Sequence, residues 1–313
     1  CYYNKGIFKK GVLYPMNSRT KGILCILSSA FCFALMSSFV RLAGDLPSVQ
    51  KSFFRNLIAA LIALILLLRE HHKGEKLSIN RRQLPLLILR SIFGTVGILC
   101  NFYAVDHLVL SDASMLNKMS PFFAIIASYF VLKEKITPVQ GAGVIAAFIG
   151  ALCIIKPTFA NMDLIPSVIG LIGGMGAGIA YTMVRALGKT GIHKSVIVFF
   201  FSAFSCLAVL PVLIAGYVPM TPMQLAYLLL AGVAAAGGQF SVTSAYCFAP
   251  AREISVYDYT QVIFSAVLGF ILFGQLPDGL SVLGYILICG TGVATFLYNR
   301  RQDRLQADSV KGR

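Results

Sequence analysis

The sequence predicts an all-α membrane protein with ten transmembrane helices, arranged as two inverted five-helix repeats. The 313-residue chain is 57% hydrophobic, its mean hydropathy is +0.78, and only 12% of its residues are charged. That charged share is about half of what a soluble domain carries. Apolar runs close to the roughly 20 residues that cross a bilayer recur along the whole chain. A large soluble helical protein would instead need amphipathic stripes. The third observation is an internal repeat, described below.

We predict ten spans from the apolar runs, with Pro and Gly residues near most of their ends. In chain order, spans 1 to 10 cover residues 22–42, 50–69, 84–104, 111–132, 139–155, 165–187, 196–215, 223–246, 254–273 and 280–298. The predicted organisation is a basic N-terminal segment (1–20), a first five-helix repeat (21–157), a second five-helix repeat (163–299) and a basic tail (300–313).

The Lys and Arg residues orient the spans. If the N-terminus is cytoplasmic, the outside segments hold only Arg41, Lys51 and Lys156 of the 27 Lys and Arg residues, and most of the others lie in inside segments. This asymmetry predicts cytoplasmic termini, and we expect a bacterial cytoplasmic membrane. It also accounts for the net charge of +15, because basic inside loops face anionic lipid. The expected partners of these loops are therefore membrane lipids, and no nucleic acid.

We expect no cleaved signal peptide, no metal site and no cofactor. The first twenty residues are basic but lack a continuous apolar core. The chain starts at Cys1, so Met16 is a candidate for the true start. The eight cysteines form no CxxC pair, and cysteine in an apolar segment behaves as a small apolar residue. No P-loop and no HExxH pattern is present. The sequence therefore predicts neither ATP drive within this chain nor an enzyme.

The second half of the chain echoes the first. When the segment starting "FYAVDH" is placed over the segment starting "AYCFAP", Tyr103 meets Tyr246, and Ser114 meets Ser255 after a two-residue gap. Because five is odd, a second unit of five helices enters the membrane from the opposite side. Inverted repeats of this kind are an architecture of secondary transporters, with the substrate site near the midplane. The alternative is that membrane helices resemble one another by composition alone.

Short motifs in the expected order identify a family. They are "FFRN" around Arg55, Tyr103–Ala104, Ala113–Ser114, Pro121 and "VLKEKIT" at 131–137. With these motifs the chain resembles the drug/metabolite transporter superfamily, in particular its EamA-type members, over about residues 20 to 298. The second half departs from the pattern, with Val262 in place of the span 4 proline and Gln275 in place of the glutamate. The resemblance implies transport of a small organic molecule. It also implies that the first, third and fourth helices of each repeat line the cavity.

Polar residues at helical spacing mark one face of several spans, and such residues in hydrocarbon usually face the bundle interior. The candidate substrate-binding residues on these faces are Lys118, Asn117, Ser114, Asn101, Tyr103, Tyr181, Gln239, Tyr246, Tyr257, Asp258 and Gln261. Lys118 would attract a carboxylate or phosphate. The tyrosines and amides would supply hydrogen bonds and aromatic walls.

The charged residues inside the spans have two interpretations. Arg55 and Arg90 lie near the ends of their spans, so each either snorkels to the interface or faces the interior. Lys118 lies about 10 Å below the outer boundary of the membrane core. Its side chain is long enough either to snorkel partway to the interface or to face the interior. Asp258 lies about one turn inside span 9, from the opposite side. In a core of about 30 Å, about 13 Å would separate Lys118 and Asp258 along the membrane normal. We therefore predict two staggered charges on one pathway and no direct ion pair.

The segment "GLIGGMGAG" at 170–178 places Gly174 and Gly178 in GxxxG spacing. This spacing favours close helix packing over a hinge that faces the substrate.

We expect a secondary transporter that moves a small organic metabolite, either an amino acid or a related zwitterionic or anionic compound, by alternating access. The segments "FFRN" and "LNKMSPFF" also resemble S-adenosylmethionine-uptake members, which makes this uptake the second expectation. A non-transporting membrane scaffold or regulator is the alternative from another class, and it predicts polar helix contacts without a cavity. The expected partners are the small-molecule substrate and lipids. A homodimer is compatible with the sequence and not required by it.

Overall fold

The computed structural model describes residues 18–73, 79–131, 133, 137–156, 163–188, 190–248 and 255–311. All regular elements in these ranges are helices, as the sequence predicts. They are α1 (Ser18–Leu42), α2 (Ser48–His72), α3 (Leu84–His107), α4 (Leu110–Asn117), α5 (Ser120–Val131), α6 (Pro138–Ile155), α7 (Leu164–Gly188), α8 (Lys194–Ala215), α9 (Pro222–Phe248), a 3-10 helix (Ser255–Tyr259), α10 (Thr260–Phe273) and α11 (Gly279–Lys311).

Eight helices in the described ranges are long and apolar enough to cross a membrane. They are α1, α2, α3, α6, α7, α8, α9 up to Val242, and α11 up to Tyr298. The chain is therefore an integral membrane protein. Predicted spans 4 and 9 are each divided into two shorter helices, namely α4 with α5, and the 3-10 helix with α10. The total of ten spans and their inverted arrangement stay predictions.

The break between α4 and α5 follows from Pro121. Proline has no backbone N–H, so it cannot donate to the carbonyl four residues earlier. The backbone tightens there, with the Met119 N–H donating to the Leu116 carbonyl and the Phe122 N–H to the Met119 carbonyl. Lys118 lies at this break, just after the last residue of α4. Its side chain therefore leaves the backbone at a point where span 4 is not a regular α-helix.

Two helix starts use the same local signal. At α6, Thr137 and Gln140 form a capping box around Pro138. At α9, the Thr221 N–H donates to Gln224 Oε1, and the Gln224 N–H donates to Thr221 Oγ1. Reciprocal bonds of this kind satisfy donors that the first helical turn leaves unpaired. The T-P-x-Q sequence thus fixes both starts.

The helices of the two halves pack in matching pairs. The main contacts join α1 to α9, α3 to α7, α2 to α8, and α6 to α11. In span numbers these pairs are 1 with 8, 3 with 6, 2 with 7, and 5 with 10. The halves are exchanged by replacing each of spans 1 to 5 with the corresponding span of 6 to 10, and the reverse. This exchange turns the pair of spans 1 and 8 into the pair of spans 6 and 3. It maps each of the other two pairs onto itself.

Glycines of α7 let it approach the break between α4 and α5. A Cβ at Gly174 would lie 2.5 Å from the Leu116 carbonyl oxygen, and a Cβ at Gly178 would lie 2.5 Å from the Ser120 carbonyl oxygen. Separations this short leave no room for a side chain. The GxxxG spacing serves close packing here, as predicted.

One end of the bundle is held by polar contacts between elements. We call it the Arg41 end, after the residue that donates through Nη1 to the carbonyls of Val105 and Leu108. At the same end Lys51 Nζ lies 2.6 Å from Asp106 Oδ1, and the Lys51 side chain is fully buried.

A second ion pair lies at the exposed surface of the Arg41 end. Lys156 Nζ lies 2.5 Å from Asp278 Oδ2. The hydrogen bond from Lys156 lowers the pKa of Asp278 to about 2, so this carboxylate stays charged at neutral pH. Because both side chains are partly exposed, the pair contributes little to stability.

Candidate functional site

A cavity of about 80 Å³ lies between helices of both halves. Its lining contains three basic side chains, Arg55, Arg90 and Lys118. The other lining residues are the polar Asn101, Asn117, Tyr181, Gln239 and Gln261, the apolar Phe33, Met36, Ile98, Phe102, Ala177, Ala180 and Phe201, and the glycines Gly94 and Gly97. The scaffold alternative predicts polar contacts without a cavity, so this finding contradicts it.

Arg90 enters the cavity from α3. It is 5% exposed, and its guanidinium carbon lies 3.6 Å from the centre of the Phe201 ring. Stacking on the ring holds the cation by its attraction to the aromatic face. Gly94, one turn further along α3, makes room, since a Cβ there would lie 2.6 Å from Arg90 Nη1. Arg90 Nε has no hydrogen-bond partner.

Arg55 enters from α2 and is 2% exposed. Its Nη1 donates to Asn56 Oδ1 at 2.5 Å, while its Nε has no hydrogen-bond partner. Within the described ranges, neither Arg55 nor Arg90 forms an ion pair with a carboxylate. Both side chains take the interior position, and the snorkelling interpretation is wrong for them. A buried cation is costly without a compensating anion, so these two arginines favour an anionic ligand.

Lys118 and Asp258 form a direct ion pair, with 2.6 Å between Nζ and Oδ2. The prediction of two staggered charges without a direct bridge is therefore wrong. The lysine side chain is 7% exposed and the aspartate side chain 24%. The pair joins the α4–α5 break to the 3-10 helix before α10, so it connects the two halves of the chain.

The error in that prediction came from measuring depth from the two membrane faces. The structure sets the register between α4 and α10 through Ser114, whose Oγ donates to Ser265 Oγ at 2.7 Å. From this level Lys118 lies about 6 Å further along its helix, and Asp258 about 11 Å further in the same direction. The remaining difference is about 5 Å. The four-carbon stem of a lysine covers a distance of that order.

The structure brings more than half of the predicted site residues to the cavity. Asn101, Asn117, Lys118, Tyr181, Gln239 and Gln261 line it. The others lie elsewhere, with Ser114 bonded to Ser265, Tyr103 stacked on His107 at 4.2 Å between ring centres, Tyr257 packed near Ile26 and Ala245, and Asp258 bound to Lys118. Tyr246 belongs to α9, but its side chain lies outside the described part of the chain. The role of each residue in binding stays a prediction.

Arg55 and Arg90 were missing from the predicted site. For Arg90 a signal was present, because Arg90, Gly94, Gly97 and Asn101 follow one another at spacings of four, three and four residues. This spacing places them on one helix face. Their joint position along the cavity places Arg90 on the same face of span 3 as the predicted site residue Asn101.

The charges of the site are unbalanced. Three cations line the cavity, and one of them, Lys118, is paired with a carboxylate, that of Asp258. Two positive charges are thus left without a charged partner within the described ranges. In the same ranges, no group of three or more His, Cys, Asp or Glu residues is placed to hold a metal ion. Amides, Tyr181 and aromatic rings line the cavity beside these cations.

A polytopic helical protein with a central polar cavity between its two halves has the architecture of a membrane transporter. Comparisons with known proteins agree. A profile of the EamA-like transporter family matches residues 20–156. The pseudopaline exporter CntI of Pseudomonas aeruginosa is 32% identical over 269 residues, which cover 85% of this chain and 93% of the exporter. The chain belongs to the EamA-like transporter family, within the drug/metabolite transporter superfamily.

More distant relatives are also transporters by name. The riboflavin transporter of Vibrio cholerae is 27% identical over 86% of this chain and 90% of its own length. Human solute carrier family 35 member G1 is 25% identical over 87% of this chain and 78% of its own length. A solved crystal structure superposes with a TM-score of 0.64 at 15% identity, over 91% of this chain and 99% of that one. That likeness concerns the fold alone.

Proposed function

We propose that this protein is a secondary transporter of small organic anions, in particular metabolites that carry carboxylate groups. It works by alternating access between two inverted five-helix repeats, residues 21–157 and 163–299. It lies in a bacterial cytoplasmic membrane with both termini inside. The observation that carries the substrate class is the cavity lining, which contains Arg55, Arg90 and Lys118, of which only Lys118 is paired with a carboxylate.

The charge balance discriminates between substrate classes. A cationic or neutral substrate would leave two buried arginines uncompensated in a site with little water, where like charges repel strongly. A carboxylate group matches the planar, two-pronged guanidinium of arginine. S-Adenosylmethionine carries a sulfonium and an ammonium group against one carboxylate. It is therefore disfavoured relative to amino acids with extra carboxylates and to other polycarboxylates.

Alternating access is supported by how the halves meet. The cavity lies at their interface, and the helix contacts map onto themselves when the halves are exchanged. At the Arg41 end, direct bonds join elements of both halves, for example from the Leu110 N–H to Gln275 Oε1. These bonds hold the two halves together at this end. Two relatives, an exporter of pseudopaline and a riboflavin transporter, support a small organic metabolite as the substrate.

The test is counterflow in proteoliposomes with labelled glutamate, citrate, histidine and S-adenosylmethionine. We expect exchange of at least one organic anion and none of S-adenosylmethionine. Replacing Arg55 or Arg90 with glutamine should raise KM for the transported anion at least tenfold, since loss of one partner of a buried charge pair costs about 2–5 kcal/mol. The matched control is Arg185→Gln, at an exposed position of α7, which should leave KM within about twofold.

Two outcomes would count against the proposal. One is exchange of cations or neutral compounds only. The other is unchanged anion transport in both Arg55→Gln and Arg90→Gln, which would remove the arginines from the substrate path.

A further inference from the structure

The cavity is too small for an organic metabolite in this conformation. Its volume is about 80 Å³, whereas sites for organic ligands usually occupy about 300–1,000 Å³. The halves must therefore move apart before a substrate fits. Any contact that joins them beside the cavity must change at that step.

The pair of Lys118 and Asp258 is such a contact. Lys118 lines the cavity, and the two residues lie 140 positions apart in the chain. Each lies where the backbone is not α-helical, namely at the α4–α5 break and in the 3-10 helix Ser255–Tyr259. These are the points where spans 4 and 9 can bend with the smallest loss of helical hydrogen bonds.

The two partners are not equivalent. Lys118 is 7% exposed and Asp258 is 24% exposed. Among the described residues, Asp258 accepts a side-chain hydrogen bond from Lys118 alone. Opening the pair with an empty cavity would strand a buried ammonium group, which is strongly unfavourable. Releasing only the aspartate is less costly, because its side chain is more exposed than that of the lysine, provided that another anion takes its place on the lysine.

We propose that Asp258 binds Lys118 at the position that a substrate carboxylate takes in the loaded protein, and that the substrate displaces Asp258 on binding. This inference rests on the proposed function, because the displacing group belongs to the transported anion. While the pair of Lys118 and Asp258 is intact, Arg55 and Arg90 can balance two negative charges of the substrate. A third substrate carboxylate reaches Lys118 only by replacing Asp258. The substrate class is thereby narrowed to metabolites with two or three carboxylates. The exchange of partners frees the 3-10 helix and lets the halves separate only when substrate is present.

Asp258→Asn tests this inference, with citrate as a tricarboxylate probe. Thermal unfolding of the purified protein in detergent is followed against citrate concentration, with chloride salts keeping the ionic strength constant. We expect citrate to raise the Tm of the unmodified protein. The citrate concentration that gives half of the maximal rise in Tm should be about tenfold lower in Asp258→Asn. This change corresponds to about 1.4 kcal/mol, the free energy by which Asp258 competes with citrate for Lys118. An equal or higher concentration in this variant would overturn the inference.

A matched control is Asp112→Asn. Asp112 is also a buried carboxylate that joins two elements, accepting hydrogen bonds from Tyr285 and Ser281 of α11. It does not line the cavity. This variant should lower the Tm without citrate and leave the half-maximal citrate concentration unchanged. An equal fall in both variants would overturn the inference, because loosening of any buried contact would then explain it.

If Asp258→Asn does not fold, a variant in which the two charged residues are exchanged tests the same inference. The double variant Lys118→Asp with Asp258→Lys keeps an ion pair across the halves. We expect its Tm without citrate to lie closer to that of the unmodified protein than the Tm of either single variant, while citrate no longer stabilises it. An unchanged citrate response would show that the pair is only a structural bridge.

The same titrations separate this inference from the proposed function. If Arg55→Gln abolishes the citrate response but Asp258→Asn leaves its midpoint unchanged, the anion site stands and the displacement is overturned. If citrate changes the Tm of neither the unmodified protein nor Asp258→Asn, the displacement inference is overturned. Counterflow of another anion then decides separately whether the proposed function holds.

Discussion

Lys118→Met should abolish transport of the anionic substrate while the protein still reaches the membrane. The substitution removes one of three cavity cations and leaves the Asp258 carboxylate without its ion-pair partner. Loss of one partner of a buried charge pair in a binding site costs about 2–5 kcal/mol, so the transport rate should fall by about 100-fold. The measurement is the initial rate of counterflow in proteoliposomes, normalised to the amount of protein incorporated.

The control is Lys73→Met, at the exposed C-cap of α2. It makes the same chemical change far from the cavity lining and should keep the rate within about twofold. A Lys118→Met variant that transports as fast as this control would remove Lys118 from the mechanism.

Gly178→Leu should prevent the protein from accumulating in a folded form. A Cβ at this position would lie 2.5 Å from the Ser120 carbonyl oxygen and 2.7 Å from Phe123 Cβ. The side chain would push α7 away from the α4–α5 break and from the lysine there. Overpacking typically costs about 1–3 kcal/mol even where the neighbours are side chains, and here the first obstacle is backbone. We expect loss of the monodisperse peak in size-exclusion chromatography, or a Tm at least about 10 °C lower.

Gly290→Leu is the matched control. Gly290 lies on an exposed face of α11, and a Cβ there would meet nothing within 4 Å. The same residue change should therefore leave the yield and the Tm unchanged. Equal behaviour of the two variants would show that the contact between α7 and the break does not limit folding.

The sequence allowed most helix boundaries to be predicted within a few residues. Hydropathy and Pro residues mark where a chain enters and leaves the bilayer, and this information is local. The exceptions are spans 4 and 9, which are each divided into two helices, and span 10, whose helix extends to Lys311. Pro121 was visible as a motif residue, but its effect on the helix depends on whether neighbouring groups compensate the missing hydrogen bond. The glycines of α7 at the break supply space for the distortion, and that contact is not local.

The site was predicted less completely, for a related reason. A sequence gives the depth of each residue along its own helix, but neither the register between helices nor the direction of a long side chain. Lys118 and Asp258 were both identified, yet their pairing depends on the contact between Ser114 and Ser265. Arg55 and Arg90 lie close to their span ends, so the sequence was compatible both with snorkelling to the interface and with facing the interior. Only packing against Asn56 and Phe201 distinguishes the two.

The unbalanced charges of the cavity have a consequence for energetics in the cell. Each elementary charge that moves across the membrane potential gains or loses about 2.3 kcal/mol per 100 mV. The empty cavity carries Arg55, Arg90 and Lys118 against Asp258, so its reorientation is sensitive to voltage if the cations move through the field. A bound dianion cancels this charge, and the loaded protein then reorients without electrical work. Voltage would thus act on the return of the empty carrier, and transport of a dianion would be electrogenic even without a coupling ion.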